Sequence, residues 1–412
     1  MSFPAIGARI VGLMLDSDEL LTDATVNSTY WGSSPWTSPV TDWIGLDNGR
    51  ATLIGEIRVG MQPHPPSLCS RPMKVSPLAW TVMTGAFVLA CAAAPAPVPN
   101  GSTNGSGLLL VVNQGDKNLS VVDLATNQQV ALIDEHQTTM HGHEIAVGPD
   151  RRTIYMPIYG DVGVGEPGLD GHEMVVFDLP TRSIVGRVDF GHGVRPHCVV
   201  YEPVRDLLYV TTELDETVTV IDRKTLKIVG TIPTTQGQSH MLAITRDGKR
   251  GYVANVKPGT LSVLDLDART TVKVIPISES TQRIALSPDE RWAFTSDRAK
   301  PRMAVIDTAT NVVARWIDLP ARGFSAAATP DGRWLLVSLE TDAVAVVDLR
   351  AMRVARTIPV VKEPAEMLIR PDGQKAYVGG ADAKLGIIDL AHWRMTGTVD
   401  VGQEPDGLAW VK

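Results

Sequence analysis

Three histidines occupy one repeated position of this chain. His143, His197 and His240 each lie six residues before a recurring turn (Pro149-Asp150, Pro203, Arg246-Asp247). Aligning every copy of that turn extends the series to Gln282, Phe324 and Ala365, and to Asp406 if the chain closes on itself. Neutral imidazole ligates zinc, copper, iron and nickel, and three histidines with one open position form a recurrent catalytic arrangement. The expected chemistry is therefore a transition-metal site (copper, zinc or iron) held by His143, His197 and His240. Asp406, His141 and His172 would be further ligands or would orient the ligands. Met140 and Met241 beside these positions would favour copper. His136, His141 and His192 fall in the loops leading into the inner strands, and His172 in a long loop of the first complete repeat. Seven of the nine histidines thus belong to one face. The same side chains without a metal, joined by Gln282, Arg283, Phe324 and Glu366, would line a polar pocket for an organic ligand. A third reading has the histidines only bracing their loops. Cys198 follows His197, points to the opposite side of its strand, and is read as a buried, inert thiol.

These positions converge only if the elements carrying them surround a common axis, and the sequence is repetitive enough to require that. From residue 107 an alternating strand ending in aspartate recurs: Leu119–Asp123, Met174–Asp178, Val218–Asp222, Leu261–Asp265, Met303–Asp307, Val344–Asp348 and Leu385–Asp389. Successive aspartates are 55, 44, 43, 42, 41 and 41 residues apart. Seven copies, each holding four short strands, predict an all-β, seven-bladed β-propeller of four-stranded blades over 107–412. Within each copy a small-residue inner strand leads to a turn such as Thr329-Pro330-Asp331-Gly332. A second strand, the aspartate strand and an outer strand follow. The chain ends on an inner strand with no successor (Glu404 to Val411) and the repeats begin on a second strand with no predecessor (Leu108–Asn113). Their pairing is expected to close the ring and remove its free edges. The seven aspartates are expected to brace the turn into the outer strand.

Tyr209-Val210-Thr211-Thr212 and Tyr252-Val253-Ala254-Asn255, each leading to an aspartate strand, resemble the YVTN family of bacterial and archaeal propellers. The resemblance covers residues 107–412. It implies a secreted or surface-attached propeller and leaves the chemistry open. Propellers that hold a modified haem also present histidines on this face, but those have eight blades.

Ahead of the repeats, Met73-Lys74 followed by an apolar run to Cys91 reads as a secretory signal peptide (73–91) displaced from the N-terminus. Either Met73 is the true start and 1–72 is a non-native or disordered leader, or the run is an internal membrane anchor. The anatomy of targeting segments favours the first. Val88-Leu89-Ala90-Cys91 resembles a lipobox, which makes Cys91 a lipidation site and 92–106 a flexible tether; the alternative is simple cleavage among Ala90 to Ala94. The expected protein is exported, periplasmic or cell-envelope, monomeric, and attached to the membrane only through its N-terminus. Net charge −8 and pI near 5.6 argue against nucleic acid. No Gly-rich phosphate loop, nucleophile elbow or His-Glu-x-x-His helix occurs. The function expected is a binding module for a protein partner or small ligand on that face. The alternative is a metal-dependent enzyme (oxidoreductase, lyase or lactonase) over blades 1–3.

Overall fold

The computed structural model describes residues 107–412 and, ahead of them, the backbone of one hairpin, Ile44–Asp47 paired antiparallel with Arg50–Leu53. That hairpin apart, the leader, signal, lipidation and tether segments expected over 1–106, Cys91 included, lie outside the described residues.

Residues 107–412 form seven antiparallel sheets, with strands adjacent in space in the order they occur in the chain. Blade 2 is representative: Pro196–Glu202, Leu207–Thr212, Thr217–Asp222 and Lys227–Pro233. In blade 1 the inner strand is broken into His141–Gly142 and Ala146–Val147, both paired with Thr153–Gly160. The expected closure is observed in blade 7, where Pro405–Val411 pairs with Leu108–Asn113 in the register Leu108↔Val411, Leu110↔Ala409 and Asn113↔Pro405.

The core is seven seams between blades rather than one centre, because each sheet is covered on both faces. Successive residues of a strand point to opposite faces. Leu108 and Leu110 therefore pack toward blade 1, whereas Leu109 and Val111 pack toward blade 6. This explains why second and third strands read as almost continuous apolar runs. Outer strands bury mainly one residue near their end, as with Ile133, Val188, Ile232, Ile275, Ile317, Ile358 and Val399.

The aspartate that marks each repeat does local work. Asp123, Asp222, Asp307 and Asp389 accept backbone N–H bonds from residues two or three positions on. Four residues after every repeat aspartate the backbone is left-handed: Asn127, Arg182, Leu226, Arg269, Asn311, Met352 and Trp393. That geometry turns the chain into the outer strand through a bulge, as expected from the sequence.

Candidate functional site

The loops into the inner strands place the seven aligned positions around the axis. Six of them, His143, His240, Gln282, Phe324, Ala365 and Asp406, line one cavity of about 310 Å³. The seventh, His197, is fully buried. Gln114, just past the second strand of blade 7, and Arg283 also reach the cavity, as do Gly163 and Val164 of the long blade 1 loop. Arg195 holds that loop in place, donating from Nε to Asp170 Oδ1 (2.6 Å) and from Nη2 to the Glu166 carbonyl (2.8 Å).

The histidines form one contiguous cluster. Ring centroids are 4.9 Å apart for His141–His143, 4.7 Å for His143–His197 and 3.5 Å for His197–His240. Tyr159 meets His143 and His197 edge-on, at 4.7 and 5.4 Å, and donates to Glu213 Oε2 at 2.8 Å. Burial, together with the neighbouring rings and Arg283, pushes the imidazolium form of His197 well below its ordinary range. Burial likewise lowers His240 despite the Glu213 carboxylate beside it, and it lowers His141 to about 4. These rings are neutral at pH 7. Neither nitrogen of His197 has a hydrogen-bond partner.

The closeness of the rings does not make them a ligand set. Imidazole lone pairs lie in the ring plane, so two rings stacked at 3.5 Å with planes 33° apart direct their nitrogens alongside each other instead of toward one point. Among the described residues no three His, Cys, Asp or Glu side chains are grouped so as to hold a metal ion. His172 is exposed and makes none of these ring contacts. Met241 offers its sulfur to Arg283 Nη1 at 3.5 Å, and Met140 packs against the seam between blades 7 and 1. The sequence reading placed these residues on one face but could not supply their orientation.

Beside the rings lies a polar network. His143 Nδ1 is 3.2 Å from Asp406 Oδ2. Gln114 Nε2 donates to that oxygen at 2.6 Å and lies 2.7 Å from His143 Nδ1. His143 Nε2 faces His141 Nε2 at 3.1 Å. Asp406, Gln114, His143 and His141 thus form one continuous hydrogen-bonded chain. Gln282 Nε2 approaches His240 Nε2 at 3.3 Å.

Arg283 is not a rim charge. It is buried, donates to Glu144, lies 2.7 Å from Glu366 Oε2, and donates to Asp406 Oδ1 at 2.6 Å. Glu366 stands behind Arg283 rather than on the cavity wall. Burial pushes the carboxyl of Glu144 up to about 8 and raises that of Glu366. Arg283 and His143 hold Asp406 ionised, its carboxyl below the usual range. Glu144, Gln114, Tyr159 and Glu213 escaped the sequence reading. Glu144 had a signal: it follows His143 as Arg283 follows Gln282 and Glu366 follows Ala365, one step along each inner strand. Cys198 occupies the same step in blade 2, where burial pushes its thiol up to about 12. That agrees with an inert role.

Fold and site together define a seven-bladed β-propeller with a cavity over its axis, walled largely by residues at the start of its inner strands, a few of them polar. The chain belongs to the Lactonase, 7-bladed beta-propeller family, whose family model matches residues 103–353. It is 28% identical over 194 residues to Antigen Lp49 of Leptospira interrogans, a match covering 45% of this chain and 41% of that protein. It is 25% identical over 117 residues to a seven-bladed beta-propeller protein of Mycobacterium tuberculosis, covering 27% of this chain and 30% of the relative. The matched stretches thus span less than half the length of these curated relatives. Two solved structures share the fold at a TM-score of 0.56 each. Dihydro-heme d1 dehydrogenase NirN in complex with DHE is 16% identical, covering 77% of this chain and 79% of that one. Kuenenia stuttgartiensis hydrazine synthase is 20% identical, covering 66% and 90%.

Proposed function

We propose that this protein is an exported, lipid-anchored, monomeric propeller of the YVTN type that binds a small organic ligand in the axial cavity. The observation that carries the reading is the convergence of six of the seven equivalent inner-strand positions on one cavity. Concave sites with a few fixed polar groups are the usual form of small-molecule sites. Here the fixed groups are Gln114, His143 and Asp406, held by one another and by Arg283, with Gln282 beside His240. The signal-like run and Cys91 support export and anchoring. A thermal-shift and calorimetric screen of small polar, cationic, anionic and lactone compounds against the full chain tests the reading. Ligands should stabilise the wild type, and Gln282→Ala with Phe324→Ala should weaken them at least tenfold. No binding by any class, or binding indifferent to those substitutions, would overturn it.

The pairing of His143 with Asp406 favours a second reading, lactone hydrolysis, which the family's name also suggests. A neutral imidazole oriented by a carboxylate can take a proton from water as the hydroxyl adds to the ring carbonyl. The ring C–O bond then breaks and the departing oxygen recovers the proton, giving a hydroxy acid. Turnover of a lactone panel that is lost in His143→Ala would establish this reading. The metal-dependent form of the enzyme reading lacks a converging ligand set among the described residues.

A further inference from the structure

Phe324 stands between two cavities. Beside the axial one lies a second, of about 220 Å³, which shares Phe324, Glu363 and Ala365 with it and is otherwise walled by Leu339, Pro364 and Glu340. This annex at blades 5 and 6 is apolar except at its rim. The Phe324 ring lies under two guanidinium groups, Arg283 at 5.1 Å and Arg298 at 4.9 Å, contacts that hold the partition in place. The two cavities differ in charge. Around the axial one, Arg283 meets three carboxylates, Asp406, Glu366 and Glu144, so the cluster is neutral when two of them hold protons and negative when fewer do. Two further carboxylates line that cavity: Glu363, exposed and paired with Lys362 at 3.3 Å, and Glu404, exposed and without a cationic partner among the described residues. The rings of His197 and His240 add no positive charge at pH 7. An anionic ligand would face the uncompensated carboxylate of Glu404, whereas a cation would be attracted.

We infer that the ligand is an organic cation with a short hydrocarbon tail, its head in the axial cavity near Asp406 and Glu404 and its tail past Phe324 in the annex. This rests on the proposed reading of the axial cavity as a ligand site, and adds to it the ligand's charge and shape.

Titration calorimetry on the full chain at pH 7 with methylammonium, n-hexylammonium, n-hexanol and n-hexanoate tests it. Hexylammonium should bind most tightly and hexanoate least. Affinity should rise about fourfold per methylene along the alkylammonium series until the annex is filled. Leu339→Phe, at a residue that lines the annex and not the axial cavity, should abolish that gain with chain length while methylammonium binding persists, and a melting curve verifies that the variant is folded. Pro364→Leu, also confined to the annex wall, should shorten the preferred chain. Glu404→Gln, at an exposed position, should weaken hexylammonium about two- to fivefold and leave hexanol unchanged. Hexanoate binding as tightly as hexylammonium, affinity indifferent to chain length, or no binding by any of the four would each overturn the inference. The first two outcomes would leave the cavity a ligand site; only failure of the wider screen removes that reading as well.

Discussion

The imidazoles of His197 and His240 lie stacked, ring centroids 3.5 Å apart, both buried, with neither nitrogen of His197 and not Nδ1 of His240 hydrogen-bonded. An imidazolium in that position would lack both water and a close carboxylate on His197. Folding therefore selects the neutral rings, and this has a consequence for stability against acid.

In the unfolded chain a histidine takes up a proton near pH 6.5; in the fold His197, His240 and His141 do so lower, His141 at about 4. The stability these depressed values confer is fully present above 6.5 and is lost as pH falls toward the native values. Denaturant midpoints measured from pH 8 to pH 4 should drop below pH 6.5. His197→Phe should keep the stack, remove one titrating ring and flatten that drop. An unchanged slope would show that His197 is not held neutral.

Carboxylates act in the opposite sense on the other side. Glu144, pushed up to about 8, and Glu135, pushed up to about 7 by burial, keep protons in the fold that the unfolded chain releases near pH 4.5. The stability from these raised values is fully present below 4.5 and is lost as pH rises through 7 to 8. Glu144→Gln should therefore make the midpoint less sensitive to pH between 5 and 8, with the largest gain over wild type at the alkaline end. Parallel curves for variant and wild type would contradict a protonated Glu144.

The fold was legible because the repeat aspartates, Pro-Asp turns and mismatched chain ends all reflect backbone requirements that recur seven times. Register alone placed His143, His197, His240, Gln282 and Asp406 around one axis. Orientation was not legible: whether two rings converge on an ion or stack on each other depends on χ angles and on Tyr159 and Glu213, which come from other strands. Arg283 and Glu366 read as rim or pocket charges for the same reason. That one is a buried cation and the other its counter-ion follows from the inner strands crowding the axis, not from the residues' neighbours in sequence.

Arg283 should be among the most sensitive positions in the chain. Arg283→Met would leave Glu144, Glu366 and Asp406 buried without their common cation. Removing one member of a buried ion cluster typically costs about 3–5 kcal/mol. Adding Glu366→Gln and Glu144→Gln to that variant should recover part of the loss, since fewer uncompensated carboxylates remain. Urea unfolding of the single and triple variants measures both quantities.

The stacked rings also set the expectation for metals. Protein purified without added metal, and again after exposure to copper, zinc or iron followed by desalting, should carry well under one equivalent per chain. His143→Ala/His197→Ala/His240→Ala should not change that content. One equivalent in the wild type, lost in the triple variant, would mean that the rings rotate out of their stack to ligate.

Ring closure is tested at one glycine. The Gly407 N–H donates to the His143 carbonyl at 2.9 Å, joining the last inner strand to the inlet of the adjacent blade 1. A Cβ at Gly407 would lie 2.3 Å from that carbonyl oxygen and 2.8 Å from Glu144 Cα. Both are backbone atoms and cannot rotate away. Gly407→Val must therefore push the two inner strands apart or twist the closing strand, at a cost of about 1–3 kcal/mol for overpacking. Because Asp406 precedes Gly407, the same shift moves its carboxylate from His143 and Arg283. Ligand affinity and melting temperature should fall together in Gly407→Val. In Gly397→Ala, where an added Cβ meets nothing within 4 Å, neither should change appreciably. A Gly407→Val protein as stable as the wild type would show that the closing strand is not held against blade 1.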